Sequence, residues 1–225
     1  MRRVIDRRQL IQRCACAALG GVAWARYGSA WGQGAPLPDM KPQQVAPGCW
    51  FVEGLSALGS PANQNFISNA GFVVTSAGVV VIDALGSPAL AERLVAEIKK
   101  ITPQKITHVV LTHYHADHVY GLQVFEKLGA RIIAHQAGRE YLYADTARLR
   151  LEQSRKDLAP WIDEQTQLAA ATEWIDARRE LTVGDTRLVI QPVGPAHTPE
   201  DLAVYLPDKK VLYAGDLVFR SRIPF

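Results

Sequence analysis

The 225-residue chain reads as a mixed α/β domain, and three observations carry that reading: hairpin-paired extended segments at the start, a central stretch of alternating strands and helices, and a return to strands at the end. Residues 49–53, 65–68, 71–75 and 79–83 are extended by composition, and Ser76-Ala77-Gly78 turns the last two into a hairpin. Ser87-Pro88 is a helix start, with Ser as N-cap and Pro in the first turn. Over 89–100 the helix places Leu90, Leu94 and Ile98 on one face, and Lys99 and Lys100 suit its C-terminal end. A strand at 106–111, a helix at 119–128 closed by Gly129, and a strand at 131–134 complete a βαβαβ run. Residues 136–171 turn helical and charged, with Leu142, Leu149, Leu151, Leu158, Trp161, Ile162 and Leu168 as apolar positions and Pro160 breaking the segment in two. This insertion is expected over one end of the domain, where Tyr141, Tyr143 and Trp161 can form a rim. Strands resume at 173–176, 180–183, 187–193, 202–206 and 211–214, with turns at Gly184-Asp185 and 207–210.

Composition is that of an ordinary globular protein, 48% hydrophobic and 21% charged. The net charge of +3 owes much to Arg2, Arg3, Arg7 and Arg8, so the body is near neutral and carries no nucleic-acid footprint. Residues 1–30 combine Arg7-Arg8-Gln9-Leu10-Ile11-Gln12, a weakly apolar stretch and small residues around Gly28-Ser29-Ala30, the make-up of a twin-arginine export signal. A stable anchor would need about 20 apolar residues, and Arg13 and Arg26 bracket only about a dozen. The expectation is a bacterial periplasmic protein, with residues 31–47 as a linker rich in Pro, Gly and Gln and residues 48–225 as the domain. Loss of Cys14 and Cys16 with the signal leaves Cys49 alone, as a buried structural thiol in the first strand.

The chemistry concentrates in His113-Tyr114-His115-Ala116-Asp117-His118, directly after the 106–111 strand. Positions i and i+2 of an extended segment share a side, so His113 and His115 can grip one cation, while Asp117 and His118 face a second position. Imidazole with carboxylate suits zinc, and also iron or manganese, better than calcium or magnesium. Asp83, His197 and Asp216 each follow an apolar strand, where loops carry ligands. His108 lies inside a strand and His135 ends one, and neither is placed among the ligands.

The order of these motifs resembles the metallo-β-lactamase superfamily from Cys49 to the chain's end. The resemblance implies a four-layer αββα sandwich with a metal site at one edge. It implies a first zinc held by His113, His115 and His197, a second held by Asp117 and His118, Asp216 bridging both, and Asp83 in support. It also implies a hydrolase of small-molecule esters, thioesters or amides, β-lactams included, in which metal lowers the pKa of a water to about 7 and Asp117 orients the nucleophile or moves protons. The twin-arginine start, Asn63-Gln64-Asn65 and the ending from Gly215 to Arg220 look most like SoxH-type proteins and the zinc metallohydrolases of the quinoprotein relay group.

One departure stands out. The family pattern brings a further histidine to the second metal from well beyond Asp216, whereas only residues 217–225 follow here and none is histidine. The expectation is a fragment lacking the C-terminal part of the sandwich, binding fewer than two equivalents of zinc, with a degenerate one-zinc site as the alternative. Two rival functions remain: a mono-iron persulfide dioxygenase using two His and an Asp, and a non-catalytic zinc-binding protein. Substrate and oligomeric state are not legible in the residues.

Overall fold

The protein is described by a computed structural model over residues 39–220. Strands β1 (Gln43–Ala46), β2 (Cys49–Val52), β3 (Ala70–Thr75) and β4 (Gly78–Ile82) form an antiparallel meander. Strands β5 (Ile106–Val110), β6 (Arg131–His135) and β7 (Glu173–Ile175) then add in parallel, giving a seven-stranded sheet in sequential order. A second, antiparallel sheet holds β8 (Arg179–Val183), β9 (Thr186–Pro192), β10 (Leu202–Leu206) and β11 (Val211–Tyr213). Parallel neighbours need crossovers, and helices supply them. Helix α1 (Pro88–Ile101) crosses from β4 to β5, and the short helices α2 (Ala116–Val119) and α3 (Leu122–Lys127) cross from β5 to β6. Helices α4 (Ala137–Leu142) and α5 (Asp145–Asp157) lie between β6 and β7.

Strand alternation explains the layers. Phe72, Val79, Val81, Val109 and Ile132 point to a core shared with Leu90, Leu94 and Ile98 of α1 and Phe125 of α3. Their neighbours Val73, Val80, Ile82, Val110 and Ile133 point the other way, onto Leu181, Val183, Leu188, Ile190, Val204 and Leu206 of the second sheet. The central strands are covered on both faces, which is why they read as continuous apolar runs. The outer face of the second sheet exposes Glu180, Thr182, Arg187 and Tyr205. The described residues therefore build a helix layer and two packed sheets, the mixed α/β sandwich anticipated. Cys49 is fully buried between the sheets.

Ser87 caps α1 as expected, its Oγ accepting from Leu90 N at 3.3 Å. Other expectations need correction. Residues 43–46, counted with the linker from composition, pair with β2 around Gly48 (φ +77°), and Met40 is buried, so ordered structure begins before residue 48. Residues 65–68 form no strand, because Gln64 and Asn65 adopt positive φ and the Asn65 amide donates to Gly86 O at 3.0 Å instead of joining a ladder. The 119–128 helix is two short helices, since Gly121 N donates to Leu85 O at 3.2 Å and leaves the helical pattern. In the insertion the break falls at Tyr143-Ala144, and Pro160 follows the end of α5 instead of dividing two helices. The proposed signal at 1–30 lies outside the described residues.

Candidate metal centre

The His113–His118 segment leaves β5 at the C-terminal end of the parallel strands, the edge where open α/β sheets expose loops. Leu111 N still bonds Ile133 O at 2.9 Å, so the sheet fixes the chain up to the residue before Thr112. Asp83 leaves β4 in the left-handed conformation (φ +65°), which Asp tolerates better than most residues. One carboxylate oxygen accepts from Thr112 N at 2.8 Å; the other accepts from Thr112 Oγ1 at 2.8 Å and faces His118 Nδ1 at 2.9 Å. Thr112 Oγ1 also lies 3.0 Å from His113 Nδ1. One buried carboxylate thus orients His118 directly and His113 through a hydroxyl, leaving both Nε2 atoms to face inward.

His113, His115 and His197 each offer a nitrogen within 4.8 Å of the other two. His115 Nδ1 and His197 Nε2 are 3.0 Å apart. A tetrahedral zinc with bonds of about 2.0–2.1 Å sets ligand nitrogens about 3.3–3.4 Å apart, so small side-chain shifts would close this triad on an ion. A second group, His113, His118 and Asp216, meets the same 4.8 Å criterion and shares His113 with the first. Asp216 Oδ1 lies 3.3 Å from His118 Nε2 and Asp216 Oδ2 lies 3.8 Å from His197 Nε2, so this carboxylate stands between the groups. Asp117 Oδ2 is 3.5 Å from His118 Nε2. The six expected ligand residues, with Asp83 behind them, come to one place.

The donor set fits a divalent metal. His113 Nε2 and His118 Nε2 are buried without a hydrogen bond of good geometry, and an unpaired buried polar atom is costly. Burial, reinforced by the charges of His118, His115 and His197, pushes the His113 imidazole far below the usual histidine range, so it stays neutral. Burial likewise depresses His115. His118 goes the other way: burial opposes its charged form, yet Asp117, Asp83 and Asp216 outweigh that and raise it well above the ordinary value. The neutral imidazoles of His113 and His115 are ready for a cation, whereas His118 must give up a proton to bind one.

Several positioning residues escaped the sequence reading. Ser68 Oγ donates to the Asp117 carbonyl. Thr198 N and Oγ1 each bond Asp201 at 2.8 Å, bracing the turn after His197; the Thr198-Pro-Glu-Asp201 spacing is a capping signal that could have revealed it. Gly215 adopts φ +55° with Thr112 so close that a Cβ would lie 2.7 Å away, which brings Asp216 up to the β5 loop. His108 Nδ1 contacts Thr107 Oγ1 at 3.0 Å and His135 Nδ1 accepts from Ala137 N at 3.2 Å, so both serve local structure.

An αββ arrangement with a paired His/Asp centre at the parallel edge defines a class of metal-site proteins, and comparison with known proteins places the chain within it. The family model for the metallo-beta-lactamase superfamily matches residues 64–225, and the chain belongs to that superfamily. It is similar to the metallo-beta-lactamase type 2 of Elizabethkingia meningoseptica, 28% identical over 68% of this chain and 53% of the relative. It is also similar to the 2,4-dinitroanisole O-demethylase subunit alpha of Nocardioides sp., 25% identical over 63% of this chain and 38% of the relative. The chain spans about half the length, or less, of these curated relatives. Among solved structures, a metallo-beta-lactamase from Pontibacter korlensis has TM-score 0.59 and 21% identity, with 78% of this chain and 71% of that chain covered. The inverting sec-alkylsulfatase Pisa1 from Pseudomonas sp. has TM-score 0.56 and 23% identity, with 77% and 30% covered. At such identities these structures speak for the fold alone. Among the described residues no helix is long and apolar enough to cross a membrane.

Proposed function

We propose that this chain carries the metal centre of a zinc-dependent hydrolase that cleaves an ester, thioester or amide of a small molecule, in a protein exported to the bacterial periplasm. The observation that carries the reading is the meeting of His113, His115 and His197 within 4.8 Å, with a buried, unpartnered His113 Nε2 aimed among them. The superfamily relatives that are metallo-beta-lactamases support hydrolysis, and the Arg7-Arg8 leader supports export. His113, His115 and His197 would hold one ion, and Asp117 and His118 a second, with Asp216 between them. Bound there, the metal would supply Lewis-acid polarisation of the scissile carbonyl and a water made acidic near pH 7.

The chain's own residues supply the remainder. Asp83 and Thr112 hold the imidazole tautomers that direct Nε2 inward, as outer partners of ligating histidines commonly do. Asp117, partly exposed and anchored through its carbonyl by Ser68, is placed to orient the attacking water and pass on its proton. No serine or cysteine nucleophile is required. The test is metal analysis of purified protein together with a hydrolysis screen using nitrocefin and acyl-glutathione thioesters. Zinc that copurifies, and turnover abolished by His113→Ala, are expected. Iron in place of zinc with oxygen consumption on a glutathione persulfide would replace this reading with a dioxygenase, and zinc without turnover on any acyl substrate would leave a binding protein.

A further inference from the structure

Beside the metal centre lies a cleft of about 500 Å³, bounded by loop residues 57–59, Asn65 and Ile67 on one side and by α5 on the other, with His115, Asp117, His197 and Asp216 at its floor. The two walls are tied together by Trp161 Nε1, which donates to Pro61 O at 2.8 Å. The Asn63 side chain stiffens the loop by accepting from Ser60 N and Asn65 N and donating to Leu58 O. Helix α5 presents Arg150, Ser154 and Asp157 to this space. Its other arginines are engaged: Arg148 pairs with Asp145 and Glu152, and Arg155 donates to Asp163 O and Thr166 O. Among the described residues no carboxylate lies within ion-pair distance of Arg150, although its charge is near enough to add to the depression that burial and His197 impose on His115. Of the three carboxylates along the cleft, Asp117 and Asp216 face the metal positions, and Asp157 accepts from Gln153 Nε2 at 2.9 Å. Leu58, Ile67, Leu158 and Phe219 supply apolar lining beside the polar Asn65 and Ser154.

We propose that Arg150 is a substrate-binding residue and that the cleft takes acyl substrates with an apolar body and an anionic end, such as a carboxylate or sulfonate, the scissile bond lying over His115 and Asp117. The proposal rests on the hydrolase reading for its scissile bond, not for its anion site. An exposed planar guanidinium for which the described residues supply no hydrogen-bond or ion-pair partner, on a regular helix and facing a cleft with polar and apolar walls, suits bidentate capture of such a group. No other unpaired cation lines the cleft among the described residues.

Two readouts test it on the full chain. In zinc-loaded protein, kcat/KM is compared for 4-nitrophenyl succinate and neutral 4-nitrophenyl butyrate. Arg150→Ala should lower the anionic-to-neutral ratio about 10- to 100-fold, chiefly through KM, and Arg150→Lys should recover part of it. In zinc-free protein, the Arg150 Nε–H resonance, assigned by its loss in Arg150→Ala, should shift on adding butanesulfonate and stay put on adding butyramide. An unchanged ratio, or a resonance indifferent to the sulfonate, overturns the assignment. A resonance that shifts in a protein with no esterase activity upholds the anion site and counts against the hydrolase reading instead.

Discussion

The substitution Asp83→Asn isolates the part of the centre that no ligand performs. Asparagine keeps the shape and tolerates the left-handed backbone (φ +65°), so the fold should survive. Its carbonyl can still accept from Thr112 N, at 2.8 Å in the native protein, but its NH2 now faces His118 Nδ1, 2.9 Å away. Two donors cannot share that contact, so once His118 has given up one proton, the proton it keeps belongs on Nε2, the atom that faces Asp117 and Asp216. Proton and metal then compete for one nitrogen. Loss of such an outer partner costs about 10- to 100-fold in metal affinity, or about 1.4–2.7 kcal/mol. The zinc-free protein also loses one buried charge-assisted hydrogen bond, about 1.5–3 kcal/mol, which at this size lowers Tm by about 3–12 °C. Competition with a chromogenic chelator reads the first number, and thermal unfolding in EDTA the second. Zinc affinity within about twofold of the parent would refute the tautomer argument, because a 10-fold loss is its smallest consequence.

Three further outcomes follow from the same geometry. His113 belongs to both ligand groups, so His113→Ala should abolish metal uptake at both positions, whereas His115→Ala should leave the His118 and Asp216 group able to take one ion; equilibrium dialysis with atomic absorption distinguishes them. Because its carboxylate neighbours raise His118 against the opposing effect of burial, it is charged at neutral pH in the zinc-free protein. Zinc must therefore expel about one proton per chain at pH 7, measurable by calorimetry in two buffers of different ionisation enthalpy, and affinity should weaken as pH falls. The same raised pKa means that the stability His118 lends the zinc-free fold is full below its unfolded value near 6.5 and is lost as pH rises through the folded one, the reverse of an acid-labile carboxylate. Finally, a Cβ at Gly71 would lie 2.4 Å from the Tyr213 ring, so Gly71→Val should push β11 away from β3 and cost about 1–3 kcal/mol in urea unfolding, with weaker metal binding because β11 leads into Asp216.

Much of this protein could be read from its residues one segment at a time. The period-two exchange of Val79, Val81 against Val80, Ile82 announces a strand covered on both faces. The packing of three histidines and an aspartate into residues 113–118 points to a metal, because so many polar groups clustered beside a buried strand need partners. Both signals are local, set by side-chain periodicity and donor chemistry, and neither needs the fold to be legible. What needed the tertiary structure were matters of distance between remote segments. That His113 serves two ligand groups, and that Asp216 stands between His118 and His197, depends on how β5, β9 and β11 end at a common edge. The loss of the expected strand at 65–68 has the same origin, since the Asn65 amide found Gly86, distant in sequence, a better partner than a neighbouring strand. Arg150 was one arginine among several in a charged helix until the fold turned α5 towards the cleft and left that side chain without a carboxylate among the described residues. Periodicity assigns a residue to a face; only closure of the chain decides what that face meets.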